Sequence, residues 1–494
     1  MATRWRGALA LLAVIGGLRA EAAESWRPAE RWRGFNLLGM FINHGQAAEY
    51  PEEDFKLISE WGFNFVRLPM DYRFWIKDGD WRQIDEAKLA PVDAAVAFGK
   101  KYQLHVQLCF HRAPGYTVAK PPEPRDLFKD EEALRVCCEH WAFFARRYKG
   151  IPNAQLSFNL FNEPREVSEA EYGKVGEALV RAIRAEDPGR FIVADGIAWG
   201  GRPCQALFKL GIGQATRGYK PMSISHYRAS WVGNPSEEPV WPPAPAVSPL
   251  YGPAKAPLNV PLVVEDVPAG TLTLQPSTVS GLVRLLVVAD GKRVSEFSLE
   301  PKDGPGWTNV AYKSEWKITQ GRCLGELRAE LPAGAKRLTV GLSSGDWAGL
   351  SKVRLTDAGG RTATLAFEQT WGKTNGVFRF AGFDRSPAFR AAGGVVTGAE
   401  YIRTECLGAW QPAFEAGVFT MVGEFGAFNH TPHALTLEWM EDNLKEWKAR
   451  DLGWALWNFK GPFGVLDSGR ADVSYEEFRG HKLDRKMLEL LRRY

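Results

Sequence analysis

The chain has 494 residues, of which 45% are hydrophobic, 24% charged and 12% aromatic. This balance excludes a disordered chain, and the length favours two or three domains over a single core. The net charge of +4 is spread along the sequence without a concentrated basic run, which argues against nucleic acid as a partner.

The N-terminal segment has the order of a secretory signal. Arg4 and Arg6 precede an apolar run over residues 8–18, and small residues follow at Ala22 and Ala23. The apolar run is too short to span a bilayer. We therefore expect a signal peptide over residues 1–23 and an exported mature protein that does not insert into a membrane.

Strand-like runs alternate with amphipathic helical runs in the first half of the chain. The predicted strands lie at 33–38, 63–68, 104–110, 156–162, 191–195 and 222–226. The predicted helices lie at 52–61, 91–102, 131–148 and 168–185. The last of these opens with Ser168 and Glu171, the spacing of a capping box. Such alternation predicts parallel strands joined by helical crossovers.

A proline-rich segment then interrupts the alternation. Prolines crowd residues 234–261, which favours an extended linker over a helix. From residue 262 to about residue 369 the patterns are those of strands, and Asp290-Gly291 stands between two alternating runs as a hairpin turn would. This segment is predicted to be a β-sandwich.

Helical and strand patterns alternate again in the last part of the chain. Helices are predicted at 400–416, 435–450 and 475–493, and strands at 419–422 and 453–457. Six strands before the sandwich segment and two after it make the number of a (β/α)8 barrel. The predicted fold is therefore an α/β TIM barrel interrupted after strand six by an all-β sandwich domain. Its first part covers 24–235, the linker 236–261, the sandwich 262–370 and its second part 371–494.

In such a barrel, functional side chains lie at the carboxyl ends of the strands. The predicted ends of strands two, three, four, six, seven and eight carry polar or aromatic residues, namely Arg67, His111, Asn162 with Glu163, His226 with Tyr227, Glu424, and Trp457 with Asn458. Each residue alone is a weak signal, but a purely structural barrel has no reason to repeat charges at one rim. We therefore predict a site there.

Two of these residues, Glu163 and Glu424, are carboxylates on opposed strands. Glycoside hydrolysis uses two carboxyl groups, one to protonate the leaving oxygen and one to attack the sugar carbon or activate water. Arg67 would keep Glu424 ionised, and the charge on Glu424 would raise the pKa of Glu163. This assigns Glu163 as the acid/base and Glu424 as the nucleophile, with Asn162 near a sugar hydroxyl and Trp457 beneath the sugar ring.

Seven motifs in order resemble glycoside hydrolase family 5, the cellulase-type retaining glycosidases. They are RGFN at 33–36, VRLP at 66–69, His111, FNEP at 161–164, SHY at 225–227, GEFG at 423–426 and WALWNFKGPFGVLDS at 454–468. The resemblance implies a (β/α)8 barrel with Glu163 as acid/base and Glu424 as nucleophile. It also implies a reacting subsite lined by Arg67, His111, Asn162, His226 and Trp457.

One departure concerns the residue that hydrogen-bonds the nucleophile. The family usually places a Tyr two residues after the strand-six His, and Arg228 stands at that position here. Either Tyr227 or Arg228 takes over the contact, or the site is altered, or Arg228 turns to solvent. We include Tyr227 among the expected substrate-binding residues.

The expected substrate is a β-linked glucan or mannan, as a polysaccharide or oligosaccharide. Two alternatives stay open, a non-catalytic carbohydrate-binding barrel and a transglycosylase with the same residues. The sandwich segment is interpreted as a carbohydrate-binding module, a spacer or a wall of the cleft, with Trp347 as a candidate contact. We expect a monomer.

Cysteine and histidine patterns indicate neither a disulfide framework nor a metal site. The six cysteines are scattered, no Cys-x-x-Cys occurs, and Pro432 separates His430 from His433. We therefore expect no cofactor and no metal.

Overall fold

The computed structural model describes residues 26–165, 167–236, 238–242, 246–369, 371, 375–384, 388–391 and 398–494. The predicted signal peptide lies outside the described residues. Within those ranges, no helix has the length and apolar character needed to cross a membrane. The chain divides into two compact units, made of Met1–Arg217, Trp410–Glu424 and Leu452–Asn458 for the first and of Gly218–Ala409, Phe425–Asp451 and Phe459–Tyr494 for the second.

A closed eight-stranded barrel lies in the first unit, apart from the last residues of two strands. Its strands are β1 (Arg33–Asn36), β2 (Phe65–Asp71), β3 (His105–Ala113), β4 (Leu156–Asn159), β5 (Ile192–Asp195), β6 (Gly213–Gly218), β7 (Thr420–Phe425) and β8 (Gly453–Leu456). Neighbours follow chain order, and β1 pairs with both β2 and β8. The predicted barrel is therefore confirmed.

Close packing of the first two strands depends on a glycine. A Cβ on Gly34 would lie 1.7 Å from the carbonyl oxygen of Phe65, so any larger residue would push β1 away from β2. Every residue of β2 and of β3 is buried, as expected for parallel strands covered on both faces.

Four long helices of the first unit agree with the predicted ones. They are Glu52–Glu60, Ala90–Lys101, Glu131–Arg147 and Glu169–Glu186. The predicted capping box is present, because the Ser168 hydroxyl accepts from the Glu171 backbone N–H while the Glu171 carboxylate accepts from the Ser168 backbone N–H. Shorter helical turns lie at Tyr72–Phe74, Glu86–Leu89, Ile197–Gly200, Gln205–Leu210 and Gln411–Glu415, and short strands at Ile76–Lys77, Asp80–Ile84 and Tyr116–Thr117.

The strand predicted at 222–226 is wrong. Met222–Ser225 is a single helical turn, and the sixth barrel strand is β6, with the sequence GQATRG. A Cβ on Gly213 would lie 2.7 Å from the ring of Phe419, and the side chain of Gln214 bonds the backbone of Cys204. Small and polar residues therefore fill this buried strand, so it lacks the apolar run by which strands are recognised.

The second unit contains two large sheets. One is formed by Leu250–Tyr251, Gly270–Ser280, Trp307–Lys313, Ile318–Cys323, Leu327–Leu331, Trp347–Thr356 and Thr362–Ala366. The other is formed by Leu262–Glu265, Val283–Ala289, Lys292–Leu299, Arg337–Ser344, Val377–Phe380 and Phe389–Ala391. Buried residues of both sheets, such as Leu272 and Leu285, form one hydrophobic cluster. The predicted hairpin is confirmed, since Asp290 and Gly291 connect two paired strands with positive φ.

Helices in the last part of the chain differ from prediction in two places. The helix predicted at 400–416 is broken into Gly398–Tyr401, Ile402–Cys406, Gly408–Trp410 and Gln411–Glu415. Pro412 lies in the first turn of the last of these, where a proline is tolerated, and it would interrupt a continuous helix. The helix predicted at 475–493 begins only at Arg485, because a small hairpin of Glu476–Phe478 and His481–Leu483 precedes it. His433–Lys448 agrees with the helix predicted there. The second unit also contains single helical turns at Ser230–Val232 and Pro253–Lys255 and the paired strands Ala246–Val247 and Glu368–Gln369.

Candidate active site

A group of polar and aromatic side chains lies at or near the carboxyl ends of the barrel strands within the first unit, although β2 continues past Arg67 to Asp71. Strand by strand they are Arg67 from β2, His111 from β3, Asn162 and Glu163 after β4, Asp195 from β5, Arg217 from β6, Glu424 from β7 and Trp457 after β8. Six of these eight residues were predicted, whereas Asp195 and Arg217 were not.

Arg67 is fully buried at the centre of the group, and each of its five N–H donors has a partner. The acceptors are Asn159 Oδ1 at 3.0 Å, Asn36 Oδ1 at 2.9 Å, Glu424 Oε1 at 2.7 Å, Cys109 Sγ at 3.0 Å and Asn162 Oδ1 at 2.9 Å. A guanidinium bonded in every direction is a fixed cation, with no freedom to follow a substrate.

Glu424 lies between two guanidinium groups. Its side chain is 4% exposed, and its Oε1 accepts from Arg67 Nη1 at 2.7 Å and lies 3.3 Å from Arg217 Nη2. A buried carboxylate is tolerated when it is paired in this way. The contact with Arg67 that the sequence predicted is therefore present.

Glu163 has a left-handed backbone, with φ of 49°. Its N–H donates to Asp195 Oδ2 at 2.9 Å, and its carbonyl accepts from the Tyr116 hydroxyl at 2.6 Å. Such a conformation costs a residue with a Cβ on the order of 1 kcal/mol, and these two bonds hold it in place.

The environment of the Glu163 side chain favours its protonated form. Burial raises the pKa of Glu163 to about 7, and the negative charge of Glu424 adds to this effect, although Arg217 opposes it. The side chain is 15% exposed and accepts from Arg217 Nε at 2.9 Å. Glu163 can therefore carry a proton at near-neutral pH and also exist as a paired carboxylate.

Arg217 and Asp195 form an ion pair that sequence reasoning missed. Arg217 Nη2 donates to Asp195 Oδ2 and, at 2.8 Å, to Asn162 Oδ1. Asp195 is fully buried, and its Oδ1 accepts from Asn159 Nδ2 at 3.0 Å. Asp195 ended a predicted strand and carried the same signal as the other strand ends. Arg217 was hidden because its strand was placed elsewhere.

Asn162 and His111 each present a buried polar atom without a protein partner in the described ranges, Nδ2 of Asn162 and Nδ1 of His111. Because Asn162 Oδ1 accepts from both Arg67 and Arg217, its amide nitrogen is left as a donor for a ligand. Burial and the two guanidinium charges hold the pKa of His111 well below its usual range, so the imidazole is neutral.

Trp457 is half-buried and has aromatic neighbours. Its ring lies 5.1 Å from that of Phe41 and 5.8 Å from that of His111, and Phe41 lies edge-on to His111 at 4.4 Å. These contacts fix the indole while leaving part of it exposed, as a ring that stacks on a sugar requires.

His226 and Tyr227 belong to the second unit, and their predicted roles in binding stay predictions. The His226 ring lies 4.9 Å from that of Tyr219, and its Nδ1 lies 2.8 Å from Ser225 Oγ. Arg228 is exposed, and its guanidinium lies 4.9 Å from the Tyr227 ring centre, which agrees with the alternative in which it turns to solvent.

The corrected strand six also moves the expected Tyr position. Tyr219 lies two residues after Arg217, the strand-six residue at the site. This is the spacing that the family resemblance implied between the strand-six His and its Tyr, with Arg217 in place of the His.

No metal centre is indicated in the described part of the chain, where no three His, Cys, Asp or Glu side chains are arranged to hold an ion. The carboxylate oxygens at the strand ends are instead hydrogen-bonded by guanidinium and amide groups. The chemistry that these residues can perform is proton transfer and nucleophilic attack by carboxylates.

Comparison with known proteins agrees with this description. Residues 25–217 match the family described as Cellulase (glycosyl hydrolase family 5). The chain is 32% identical over 145 residues to endoglucanase C of Acetivibrio thermocellus, which covers 29% of this chain and 42% of that protein. It is 25% identical over 213 residues to cellodextrinase A of Ruminococcus flavefaciens, which covers 40% of this chain and 61% of that protein.

A solved structure of a glycoside hydrolase has a TM-score of 0.59 and 25% sequence identity, and the match covers 94% of this chain and 99% of that one. The chain spans less than two thirds of the length of the two curated relatives named above. Together with the closed barrel, these matches confirm the predicted resemblance to a glycoside hydrolase family 5 barrel.

Proposed function

We propose that this chain is an exported retaining glycoside hydrolase of family 5 that cleaves a β-linked glucan. The observation that carries the proposal is the pair of carboxyl groups Glu163 and Glu424, both contacted by the guanidinium of Arg217. One of the pair has its pKa raised to about 7 by burial, while the other is paired with a fully bonded arginine. Two carboxyl groups in unlike environments are what acid and nucleophile roles require.

The shared guanidinium limits the distance between the two carboxyl groups. From the two contacts and the width of a guanidinium group, the bonded oxygens are at most about 8.5 Å apart, within the span used by glycosidases. Retention rather than inversion rests on the family resemblance and on the placement of Glu424 beside Arg67.

The reaction proceeds in two displacements. In the first, an oxygen of Glu424 forms a bond to the anomeric carbon, the glycosidic bond breaks, and the proton of Glu163 passes to the leaving oxygen. In the second, Glu163 takes a proton from water while the water oxygen attacks the anomeric carbon, and the bond to Glu424 breaks. Asn162 Nδ2 donates to a sugar hydroxyl, and Trp457 stacks on the ring.

The names of the relatives support a glucan as the substrate. Two of these relatives are an endoglucanase and a cellodextrinase. We therefore favour a β-glucan chain or its oligosaccharides over mannan as the substrate. We further propose that residues 262–370 are a β-sandwich domain inserted between β6 and β7, and that the signal over residues 1–23 exports the protein.

The test is the release of reducing ends from β-1,4-glucan, β-1,3-glucan, mannan and xylan, with Glu424→Gln and Glu163→Gln beside the wild type. We expect release from a β-glucan that Glu424→Gln lacks. Proton NMR of the first product should show the β-anomer before mutarotation. An α-anomer as first product would exclude retention, and activity kept by Glu424→Gln would exclude the assigned nucleophile.

A transglycosylase would use the same residues, and its products distinguish it from a hydrolase. A wild type that lengthens cellotetraose at low substrate concentration, instead of shortening it, would support transfer. A wild type that binds cellotetraose without cleaving it would support the carbohydrate-binding alternative.

A further inference from the structure

Arg217 contacts both of the proposed catalytic carboxyl groups. Its Nε donates to Glu163 Oε1 at 2.9 Å, and its Nη2 lies 3.3 Å from Glu424 Oε1. The Arg217 side chain is 4% exposed, and the same Nη2 also donates to Asp195 Oδ2 and Asn162 Oδ1. The guanidinium can therefore act on either glutamate without changing its position.

We propose that Arg217, held by Asp195, is a positioning residue that stabilises the ionised form of Glu163 once Glu424 has bonded to the sugar, and so accelerates the second displacement. The inference rests on the proposed function and deepens it. It assigns a role in one half-reaction to a residue that the sequence motifs do not contain.

The balance of charges at the strand ends explains why Glu163 would ionise once Glu424 has bonded to the sugar. Arg67 and Arg217 are balanced by Asp195 and Glu424, so in the free enzyme the group is neutral when Glu163 is protonated. Formation of the sugar ester removes the negative charge of Glu424. The two guanidinium groups then face one carboxylate, and a charged Glu163 restores the balance.

The other groups around Glu163 do not compete for this role. Burial and the arginines keep His111 neutral, and burial raises the pKa of Cys109 to about 12, so its thiol stays protonated. The Tyr116 hydroxyl is bonded to the Glu163 carbonyl and not to its carboxyl group. Arg67 bonds Glu424 and makes no hydrogen bond to Glu163. Among the residues that the structure describes, Arg217 is thus the cation that bonds the carboxyl group of Glu163 directly.

The second displacement is the step that Arg217 accelerates. The water oxygen forms a bond to the anomeric carbon, its proton passes to the Glu163 carboxylate, and the electron pair of the broken bond returns to Glu424. Without Arg217, Glu163 remains protonated in the sugar ester and is a poor base. The first displacement needs a protonated Glu163. Because Arg217 favours the ionised form, it accelerates the first displacement less than the second.

Arg217→Met separates the two steps when the substrate is 2,4-dinitrophenyl β-cellobioside, whose leaving group departs without a proton. We expect a burst of dinitrophenolate near one equivalent per enzyme, followed by a steady-state kcat at least tenfold below that of the wild type. KM should fall by a similar factor because the sugar ester accumulates. Azide, a nucleophile that needs no base, should restore the steady-state rate.

Arg217→Lys, which keeps a cation, should show a smaller burst and covers the case in which the Met variant does not fold. The matched control is Arg147→Met, which removes a guanidinium paired with Asp93 and Glu86 on an outer helix and should leave the kinetics unchanged.

A lower kcat in Arg217→Met with no burst, an unchanged KM and no azide rescue would overturn the inference, because a merely structural role gives that result. Wild-type turnover that Glu424→Gln abolishes, together with unaltered Arg217→Met kinetics, would overturn the inference and leave the proposed function standing. No turnover of the glycoside by the wild type would overturn both.

Discussion

Glu163→Gln should change the way in which the stability of the protein depends on pH. The pKa of Glu163 rises from an ordinary value of 4.5 to about 7, mainly because of burial. Between these two pH values the folded protein holds a proton that the unfolded chain has released. The wild type therefore loses stability as the pH rises through this window.

The magnitude follows from the size of the shift. One pKa unit corresponds to 1.36 kcal/mol, so a rise from 4.5 to about 7 costs the wild type roughly 3 kcal/mol by pH 8. Gln resembles the protonated form of Glu163 and can still accept from Arg217 Nε, but it does not titrate. We expect the two proteins to be equally stable near pH 4 and the variant to be more stable by about 3 kcal/mol at pH 8.

Urea unfolding followed by tryptophan fluorescence, repeated from pH 4 to pH 8, measures the difference in free energy of unfolding. Glu60→Gln, an exposed position on the helix Glu52–Glu60, gives the baseline for losing a carboxylate. A difference that stays flat with pH, or that favours the wild type as pH rises, would refute the reasoning. It would mean that attraction to Arg217 outweighs burial.

Three further predictions concern stability and binding. Arg67→Met should lower the free energy of unfolding by about 3–5 kcal/mol, since it leaves Glu424 buried beside one fewer cation, and a loss below 1 kcal/mol in urea unfolding would contradict this. Ser168→Ala should cost about 1 kcal/mol by removing the capping box, while Ser168→Thr, which keeps the hydroxyl, should cost less in the same assay. Trp457→Ala should lower kcat/KM on cellotetraose roughly tenfold through lost stacking, and an unchanged value would remove the indole from the proposed subsite.

Most of the barrel could be read from the sequence, because its strands and helices carry the usual periodicities. Strands such as β2 and β3 are buried throughout and contain apolar runs, and the capping box of Ser168 and Glu171 marks the start of the helix after β4. The strand β6 could not be read in this way, since it packs glycine and glutamine beneath large neighbours such as Phe419.

The site could be predicted where a motif marked it and not where a tertiary contact did. Glu163, Glu424 and Arg67 belong to motifs on or just after strands that are easy to recognise, and the hydrogen bond between Arg67 and Glu424 is present. Arg217 depends on the course of β6, and its importance follows from its distances to residues of three other strands. Residues far apart in sequence give no local sign that they will share a guanidinium.

The five charged groups at the strand ends carry a consequence for how a substrate is admitted. Two arginines and two carboxylates cancel one another inside the barrel, and the fifth group, Glu163, is neutral when it holds its proton. Pairs buried to this degree are screened little by dissolved ions. The proposed substrate, a β-glucan chain, is itself uncharged, so its entry neither displaces counterions nor depends on long-range electrostatic attraction. Ionic strength should therefore leave KM almost unaltered, and the proposed site would select among glycans by shape, ring stacking and hydroxyl contacts.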